Sequence, residues 1–284
     1  MKPFPLETRF AFRKHMIINR EFESLLQKNG LDDFDTIMKF DNGEVVKQKI
    51  RERSTIRFQV PDGKDKALIY LKRYRYPLIS NFLKNCLTLS RTYSAIYEWR
   101  NILEFKDHNL PTMKPMAVGM RRRIPFLSES FLLTQSIPQT ITLEKILEDY
   151  FSTPLDGVRW EQKKGLVDKL ASLTRRMHEE GFKHQDFYLC HILINWSNPD
   201  KPLLYIADLH RVRRQKKSKI RWRIKDLAAL NYSAPQEIIS RTDRLRFLKR
   251  YDTGLAMDRS FIKAIIKKTE KIRKHTEKKE GLRN

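Results

Sequence analysis

The sequence predicts an α+β fold in two lobes: a small antiparallel-sheet lobe with one key helix over residues 1–137, and a larger, mainly helical lobe over residues 138–284. Three observations carry that expectation. Strand-like alternation dominates the first third and gives way once to a helical period. A buried-type strand at residues 130–134 then ends at Ile137-Pro138, with a hinge expected near residues 135–138. The second half of the chain is mostly helical in period, the order expected of a sheet-rich lobe succeeded by a helical one.

Residues 55–60 alternate polar and apolar side chains from Thr55 to Val60, the pattern of a half-buried strand. Pro61-Asp62-Gly63 signals a turn, and residues 67–72 return as a second strand, a hairpin with Lys72 at its far end. Residues 94–106 read as a helix, with Ala95, Glu98 and Ile102 on one face and Ile96, Trp99 and Leu103 on the next. Thr142 is placed to cap a short helix over residues 143–150. A long helix runs from about residue 161 to residue 180. Leu166, Leu170, Leu173 and Met177 form its apolar stripe, and Gly181 is placed to end it in a left-handed conformation. Two short apolar strands flank a turn-rich hairpin at residues 196–201. The remainder is helical and increasingly basic, with Phe261, Ile262, Ile265, Ile266 and Ile272 as one stripe against many lysines.

Hydrophobic residues make up 40% of the 284, enough for a substantial core. The formal net charge of +24 favours polyanionic partners: nucleic acid, anionic lipid or a phosphorylated glycolipid. Nucleic acid is disfavoured, because no helix-turn-helix, zinc-finger or ribonucleoprotein-type aromatic motif is visible. Only Cys86 and Cys190 occur, so no disulfide framework is implied and a reducing cytoplasm is expected. Residues 1–13 are charged and lack the apolar stretch of a secretory signal. The longest apolar runs, such as Phe131-Leu132-Leu133, fall well short of the roughly 18–20 residues that span a bilayer. A soluble or peripheral protein is expected.

The chemistry concentrates in two motifs. His184-Gln185-Asp186 runs through Cys190-His191 into Ile192-Leu193-Ile194-Asn195, and is answered by Ile206-Ala207-Asp208-Leu209-His210. The two carboxylates stand 22 residues apart, each beside a short apolar strand. A kinase-like fold uses this arrangement to hold a base and a metal ligand at one nucleotide site. In that reading Lys72 offers positive charge to the phosphates and Glu98 pairs with it. Asp186 takes the proton of the attacking hydroxyl, Asp208 holds a divalent cation, and His191 stands where a second metal-side ligand is expected. Each residue also has a plain structural alternative. Lys72 could be a solvated strand end, Glu98 half of a surface ion pair, Asp186 a turn cap and His191 a hydrogen-bonded core histidine. Asp208 is harder to explain so, because a carboxylate at a core edge needs a partner. A zinc site from His184, Cys190, His191 and His210 lacks the usual ligand spacing.

These motifs, together with Arg53-Ser54-Thr55-Ile56-Arg57-Phe58, Tyr70-Leu71-Lys72, Glu98-Trp99, Asp208-Leu209-His210-Arg211 and residues 221–227, resemble the lipopolysaccharide core kinase family. That family contains heptose kinases and 3-deoxy-manno-octulosonic acid kinases, and the likeness covers roughly residues 50–280. The resemblance implies a protein-kinase-like bilobal fold, ATP, a divalent metal such as Mg2+, and a sugar of the lipopolysaccharide inner core as acceptor. Heptose leads; 3-deoxy-manno-octulosonic acid and a non-catalytic kinase-like binding protein are the alternatives. With that fold, Gln135, Ser136 and Ile137 join Lys72 and Glu98 in the nucleotide-binding set.

The chain also departs from the wider kinase pattern. No Gly-x-Gly-x-x-Gly loop precedes Lys72; residues 45–53 are basic instead. Gln185 replaces the usual arginine before the catalytic acid, which argues against control by a phosphorylated loop. The segment between Asp208 and Asp226 is short and very basic, and suits an anionic sugar as well as it suits a solvated loop. Asp226 resembles the helix-borne acid that anchors the catalytic loop, and Trp222 could stack on a sugar or fill the core. The basic helix over residues 263–279 either docks on anionic lipid at the inner face of a membrane or simply closes the helical lobe. An acidic carrier protein is a further partner that the charge allows.

Overall fold

The computed structural model describes residues 10–49, 53–77, 94–123, 127–152, 154–216, 219–251 and 258–281. Cys86, Lys217, residues 1–9 of the amino-terminal segment and residues 50–52 of the basic stretch therefore lie outside the described residues. The chain forms two compact units. One comprises Met1–Glu104 with Met113–Ile137, the other Phe105–Thr112 with Pro138–Asn284.

In the first unit the chain runs β1 (Phe10–Arg13), β2 (Met16–Asn19), α1 (Glu23–Lys28), α2 (Phe34–Lys39), β3 (Glu44–Lys49), β4 (Arg53–Asp62), β5 (Asp65–Pro77), α3 (Ala95–Asp107), β6 (Lys114–Arg123) and β7 (Leu127–Gln135). The strands form one antiparallel sheet in the order β1-β2-β6-β7-β5-β4-β3. The hairpin is longer than the alternation predicts. Pro61 and Asp62 still belong to the ladder, and the turn is Gly63-Lys64, with Gly63 at φ +64°. Lys72 is therefore in mid-strand rather than at the hairpin's end, flanked by Thr55 on β4 and Leu132 on β7.

Successive side chains alternate across the sheet, so register decides which face each residue serves. The row Ile56, Leu71, Leu133 and Ala117 faces a core completed by Phe22, Leu26, Phe34 and Ile37 from the α1–α2 region. The neighbouring row Thr55, Lys72, Leu132 and Val118 faces the other way. There α3 docks through buried Ala95, Glu98, Trp99 and Ile102, and the Ala95 N–H donates to Ser130 Oγ at 3.2 Å. The sequence signal for β6 is obscured by Pro115 and Gly119, which read as breakers. In the sheet Pro115 sits at a register shift. A Cβ on Gly119 would come within 2.3 Å of the Phe131 ring, so the bare glycine makes room for it.

The second unit runs β8 (Thr140–Thr142), α4 (Leu143–Phe151), α5 (Gly157–Glu179), β9 (Phe182–Lys183), β10 (Ile192–Asn195), β11 (Leu203–Ile206), β12 (Arg213–Arg214), α6 (Ile220–Ser233), α7 (Arg241–Tyr251) and α8 (Arg259–Gly281). Thr142 caps α4, its Oγ1 accepting the Lys145 N–H at 3.3 Å. The long helix starts four residues earlier than its apolar stripe suggests, because Asp156 accepts the Arg159 N–H at 2.8 Å and sets the N-cap. Leu166, Leu170, Leu173 and Met177 are buried as the period requires. Helix α7 packs on α5 and α8 on α6, around Ala171, Leu227, Tyr251, Phe261 and Ile265. Ile266 does not join that stripe and is 54% exposed. Among the described residues no helix is long and apolar enough to cross a membrane.

Candidate active site

Two short antiparallel pairings gather the motif residues of the second unit. Gly181 ends α5 at φ +83°, and β9 leaves at once to pair with β12. Further along, β10 pairs with β11, Ile192 opposite Ile206. The loops carrying Asp186 and Asp208 thus lie between the same two pairings. That closure makes residues 22 apart in sequence neighbours in space. Gly181 permits it: a Cβ there would stand 1.8 Å from the Gln215 carbonyl oxygen, and the Gln215 N–H donates to the Gly181 carbonyl at 3.0 Å.

His191 joins the two loops. Its Nδ1 donates to the Asp186 carbonyl at 2.7 Å, leaving Nε2 toward Asp208 Oδ2 at 3.6 Å. The Ala207 N–H returns to the His191 carbonyl at 2.9 Å. Burial opposes charge on this ring, but the Cys190 side chain, the Asp186 carbonyl and the Asp208 carboxylate outweigh it and push the imidazole up to about 9. Asp208 itself sits in a left-handed backbone conformation, φ 57° and ψ 55°. A non-glycine residue rarely adopts this without a local reason. Its Oδ1 lies 2.9 Å from His210 Nδ1. The Asp186 carboxylate is held by Arg211, whose Nη1 donates to Oδ1 and Oδ2 at 2.8 and 2.9 Å.

Behind the loop stands Asp226 on α6, 1% exposed. Its two oxygens accept the backbone N–H groups of His184 and Gln185 at 2.7 and 2.8 Å. Gln185 takes φ 73°, and its side chain donates to the Arg211 carbonyl. His178 Nε2 faces the same carboxylate at 3.4 Å, and its Nδ1 pairs with the Tyr251 hydroxyl at 2.8 Å. Burial alone would raise the Asp226 carboxyl; hydrogen bonds from His178 and the His184 amide outweigh it and hold it below the usual range. His184 is fully buried, and burial pushes its imidazole down. Its Nε2–H therefore serves as a neutral donor to the Ala207 carbonyl at 2.9 Å.

In the first unit, Lys72 Nζ lies 2.6 Å from Glu98 Oε1, with the lysine side chain 14% exposed and the glutamate fully buried. The other oxygen, Oε2, is buried without a hydrogen-bond partner among the described residues. An ion pair so desolvated is not a solvated surface pair. Of the expected connecting residues, Gln135 closes β7 opposite Ile69, and the Ser136 N–H donates to the Leu68 carbonyl at 2.8 Å, with Ile137 next in the chain.

The donor set at Asp208 can be weighed against a hard cation. Magnesium prefers oxygen and is commonly held by one or two carboxylates together with substrate phosphates. The Asp208 carboxylate fits that shared mode; the imidazoles of His191 and His210 beside its two oxygens offer nitrogen, which magnesium takes less readily. Among the described residues no group of three or more His, Cys, Asp or Glu gathers to hold a metal by protein ligands alone, so the four residues of a zinc site do not converge.

Two contacts were not anticipated from the sequence. Arg211 belongs to a basic run whose other members gave no reason to single it out, yet it holds Asp186. His210 beside Asp208 is likewise new. The available signal was the Asp208-Leu209-His210-Arg211 order, which a tight 3-10 turn at Leu209–Arg211 converts into neighbouring side chains.

Comparison with known proteins agrees with this geometry. Residues 38–251 match the model of the "Lipopolysaccharide kinase (Kdo/WaaP) family". The chain is 30% identical over 259 residues to the lipopolysaccharide core heptose(I) kinase WaaP of Escherichia coli (strain K12), covering 88% of this chain and 94% of that protein. It is 32% identical over 240 residues to the heptose(I) kinase WaaP of Pseudomonas aeruginosa PAO1, covering 83% and 85%. A solved structure, "WaaP in complex with acyl carrier protein", superposes with a TM-score of 0.69 at 27% identity, covering 91% of this chain and 99% of that one. With three quarters of its length matched and its motifs gathered around Asp186 and Asp208, this chain belongs to the lipopolysaccharide kinase (Kdo/WaaP) family.

Proposed function

We propose that the chain transfers the γ-phosphoryl group of ATP to a hydroxyl of heptose in the inner core of lipopolysaccharide. The observation that carries this reading is the Asp186–His191–Asp208 constellation, two carboxylate loops tied together through one imidazole. Heptose is preferred over 3-deoxy-manno-octulosonic acid because the full-length relatives are heptose(I) kinases. The buried Lys72–Glu98 pair speaks against a non-catalytic domain, since such a pair is costly to maintain without a use.

The fold is read as protein-kinase-like and bilobal, with residues 1–137 and 138–284 as its lobes. In the first, Lys72 presents a fixed charge to the non-transferred phosphates, oriented by Glu98, and Gln135, Ser136 and Ile137 contact the nucleotide. In the second, Asp186 accepts the hydrogen bond of the acceptor hydroxyl. As the hydroxyl oxygen bonds to phosphorus and the bond to ADP breaks, the proton passes to the Asp186 carboxylate. Arg211 keeps that carboxylate aimed. Mg2+ would be held by Asp208, with His191 alongside, and would neutralise charge on the phosphates.

The charge of +24 and the lysine-rich α8, with Ile266 exposed among lysines, support a peripheral place on the inner face of the cytoplasmic membrane. The same charge suits an acidic carrier protein, the kind of partner present in the solved WaaP complex. The deciding experiment incubates core oligosaccharide with ATP, magnesium and the protein, then locates the added phosphate by mass spectrometry. Phosphate on heptose, absent with Asp186→Ala, is the expected result; a phosphorylated product from that variant at the wild-type rate would remove the base assignment.

A further inference from the structure

We infer that a cationic pocket beside Asp186, formed by Lys183, Arg211, Arg213, Trp222 and Lys225, binds an anionic group already carried by the acceptor, a phosphate or a sugar carboxylate. This rests on the kinase reading and names the part of the acceptor that the site selects.

The pocket is assembled from three elements that meet at the catalytic loop. Lys183 on β9 and Arg213 on β12 are direct cross-strand partners. Like charges in that position destabilise a pairing. The Lys183 ammonium lies 3.8 Å from the centre of the Trp222 ring, and Trp222, 8% exposed, is buried in the first turn of α6. Lys225 stands three residues later on the same helix face. It precedes Asp226, whose carboxylate holds the His184 and Gln185 amides within the Lys183–Asp186 segment. Arg211 closes the group by its contact with Asp186 itself.

Electrostatics agree with the geometry. Burial, together with Lys225 and Arg213, pushes the Lys183 ammonium down to about 8. Burial and then Arg211 lower Lys225, while Asp186 and Asp226 act the other way. Among the described residues none of Lys183, Arg213 and Lys225 ion-pairs with a carboxylate. Like-charged side chains crowded and partly desolvated, with only Asp186 and Asp226 nearby to oppose them, are unfavourable by themselves. An anion on the acceptor relieves all of them at once and brings the hydroxyl to Asp186. Trp222, which by its sequence could serve either the core or a sugar, is buried with the core, its ring beneath the Lys183 ammonium.

The test compares acceptors and variants in one assay. Initial rates are measured with native core oligosaccharide, with its dephosphorylated form and with its carboxyl-reduced form, using wild type, Lys183→Ala, Lys225→Ala and Lys183→Arg. ATP affinity and thermal melting are followed in each protein. The expected result is a KM about tenfold higher for the alanine variants on the native acceptor, with kcat and ATP affinity little changed. Lys183→Arg should restore most of it. Stripping the recognised anion should raise the wild-type KM equally and make the variants indistinguishable from wild type. The acceptor form that does this tells phosphate from carboxylate. Equal loss on all three acceptors, or no loss on any, overturns the pocket while leaving the kinase reading intact. Failure of wild type to phosphorylate any heptose acceptor instead removes the kinase reading, and the pocket falls with it.

Discussion

Arg211 holds Asp186 through a single guanidinium nitrogen placed 2.8 and 2.9 Å from the two carboxylate oxygens. The arginine is 43% exposed and the aspartate 20%, so the pair is open enough for an acceptor hydroxyl to share an oxygen. Asp186→Ala should lower kcat by roughly 10²–10⁴-fold with little change in melting temperature. Arg211→Ala should cost less, about tenfold, because under the proposed mechanism it loosens the base without removing it. Steady-state transfer assays on both variants check the order; an Arg211 variant as dead as Asp186→Ala would make the arginine part of the chemistry.

Lys72 on β5 and Glu98 on α3 meet at 2.6 Å where the helix covers the sheet. Lys72→Met leaves a fully buried carboxylate without its cation, and should destabilise the protein by about 3–5 kcal/mol. Adding Glu98→Gln should return most of that stability, since no charge then remains buried. ATP binding should stay lost in both. Urea titrations beside nucleotide-binding isotherms separate the two effects.

Asp226 satisfies two backbone N–H groups at once. An Asp226→Asn side chain offers one carbonyl oxygen for the same two donors, so one amide of the catalytic loop is orphaned at a cost of about 1–3 kcal/mol. The Asp186 loop should also loosen. The expected signature is faster hydrogen exchange at His184 and Gln185 together with a fall in kcat, while ATP affinity holds.

Gly181→Ala should be among the most damaging small substitutions. The left-handed backbone alone costs an L-residue roughly 1–2 kcal/mol, and the contact with the Gln215 carbonyl adds overpacking. Because β9–β12 pairing begins there, activity should fall with stability, and circular dichroism melts together with rates would show both.

Lys183 gives a pH prediction. Its folded-state value, near 8, lies below the usual 10.5, so the charged form is penalised by folding. Between about pH 8 and 10.5 the unfolded chain holds the extra proton, and stability attributable to this residue rises with pH. Lys183→Met should therefore be more stable than wild type at about pH 7, with the difference shrinking across that window. Denaturant midpoints at several pH values test this; a constant difference would mean that Lys183 is not desolvated.

The period-2 run from Thr55, the Leu166–Met177 stripe, the Thr142 cap and the glycine stop at Gly181 obey local rules, set by side chains two to four positions apart, and the residues alone made them legible. So were the two motif segments around Asp186 and His191 and around Asp208, since each carries its polar residues beside a short apolar run. The strands at residues 10–19 and 114–123 were not legible, since four-residue strands carry too little pattern and Pro115 and Gly119 imitate breakers. Nor was the stripe of α8 complete, as Ile266 is turned outward. Tertiary structure alone decided that Lys72 lies in mid-strand, that Arg211 rather than another of its basic neighbours grips Asp186, and that Lys183 is pressed against Trp222. Those facts depend on the β4–β5 and β9–β12 registers, which set Lys72 opposite Thr55 and Lys183 opposite Arg213, partners far apart along the chain. A one-residue shift in either pairing would turn these strand side chains to the opposite face while leaving the local sequence pattern unchanged.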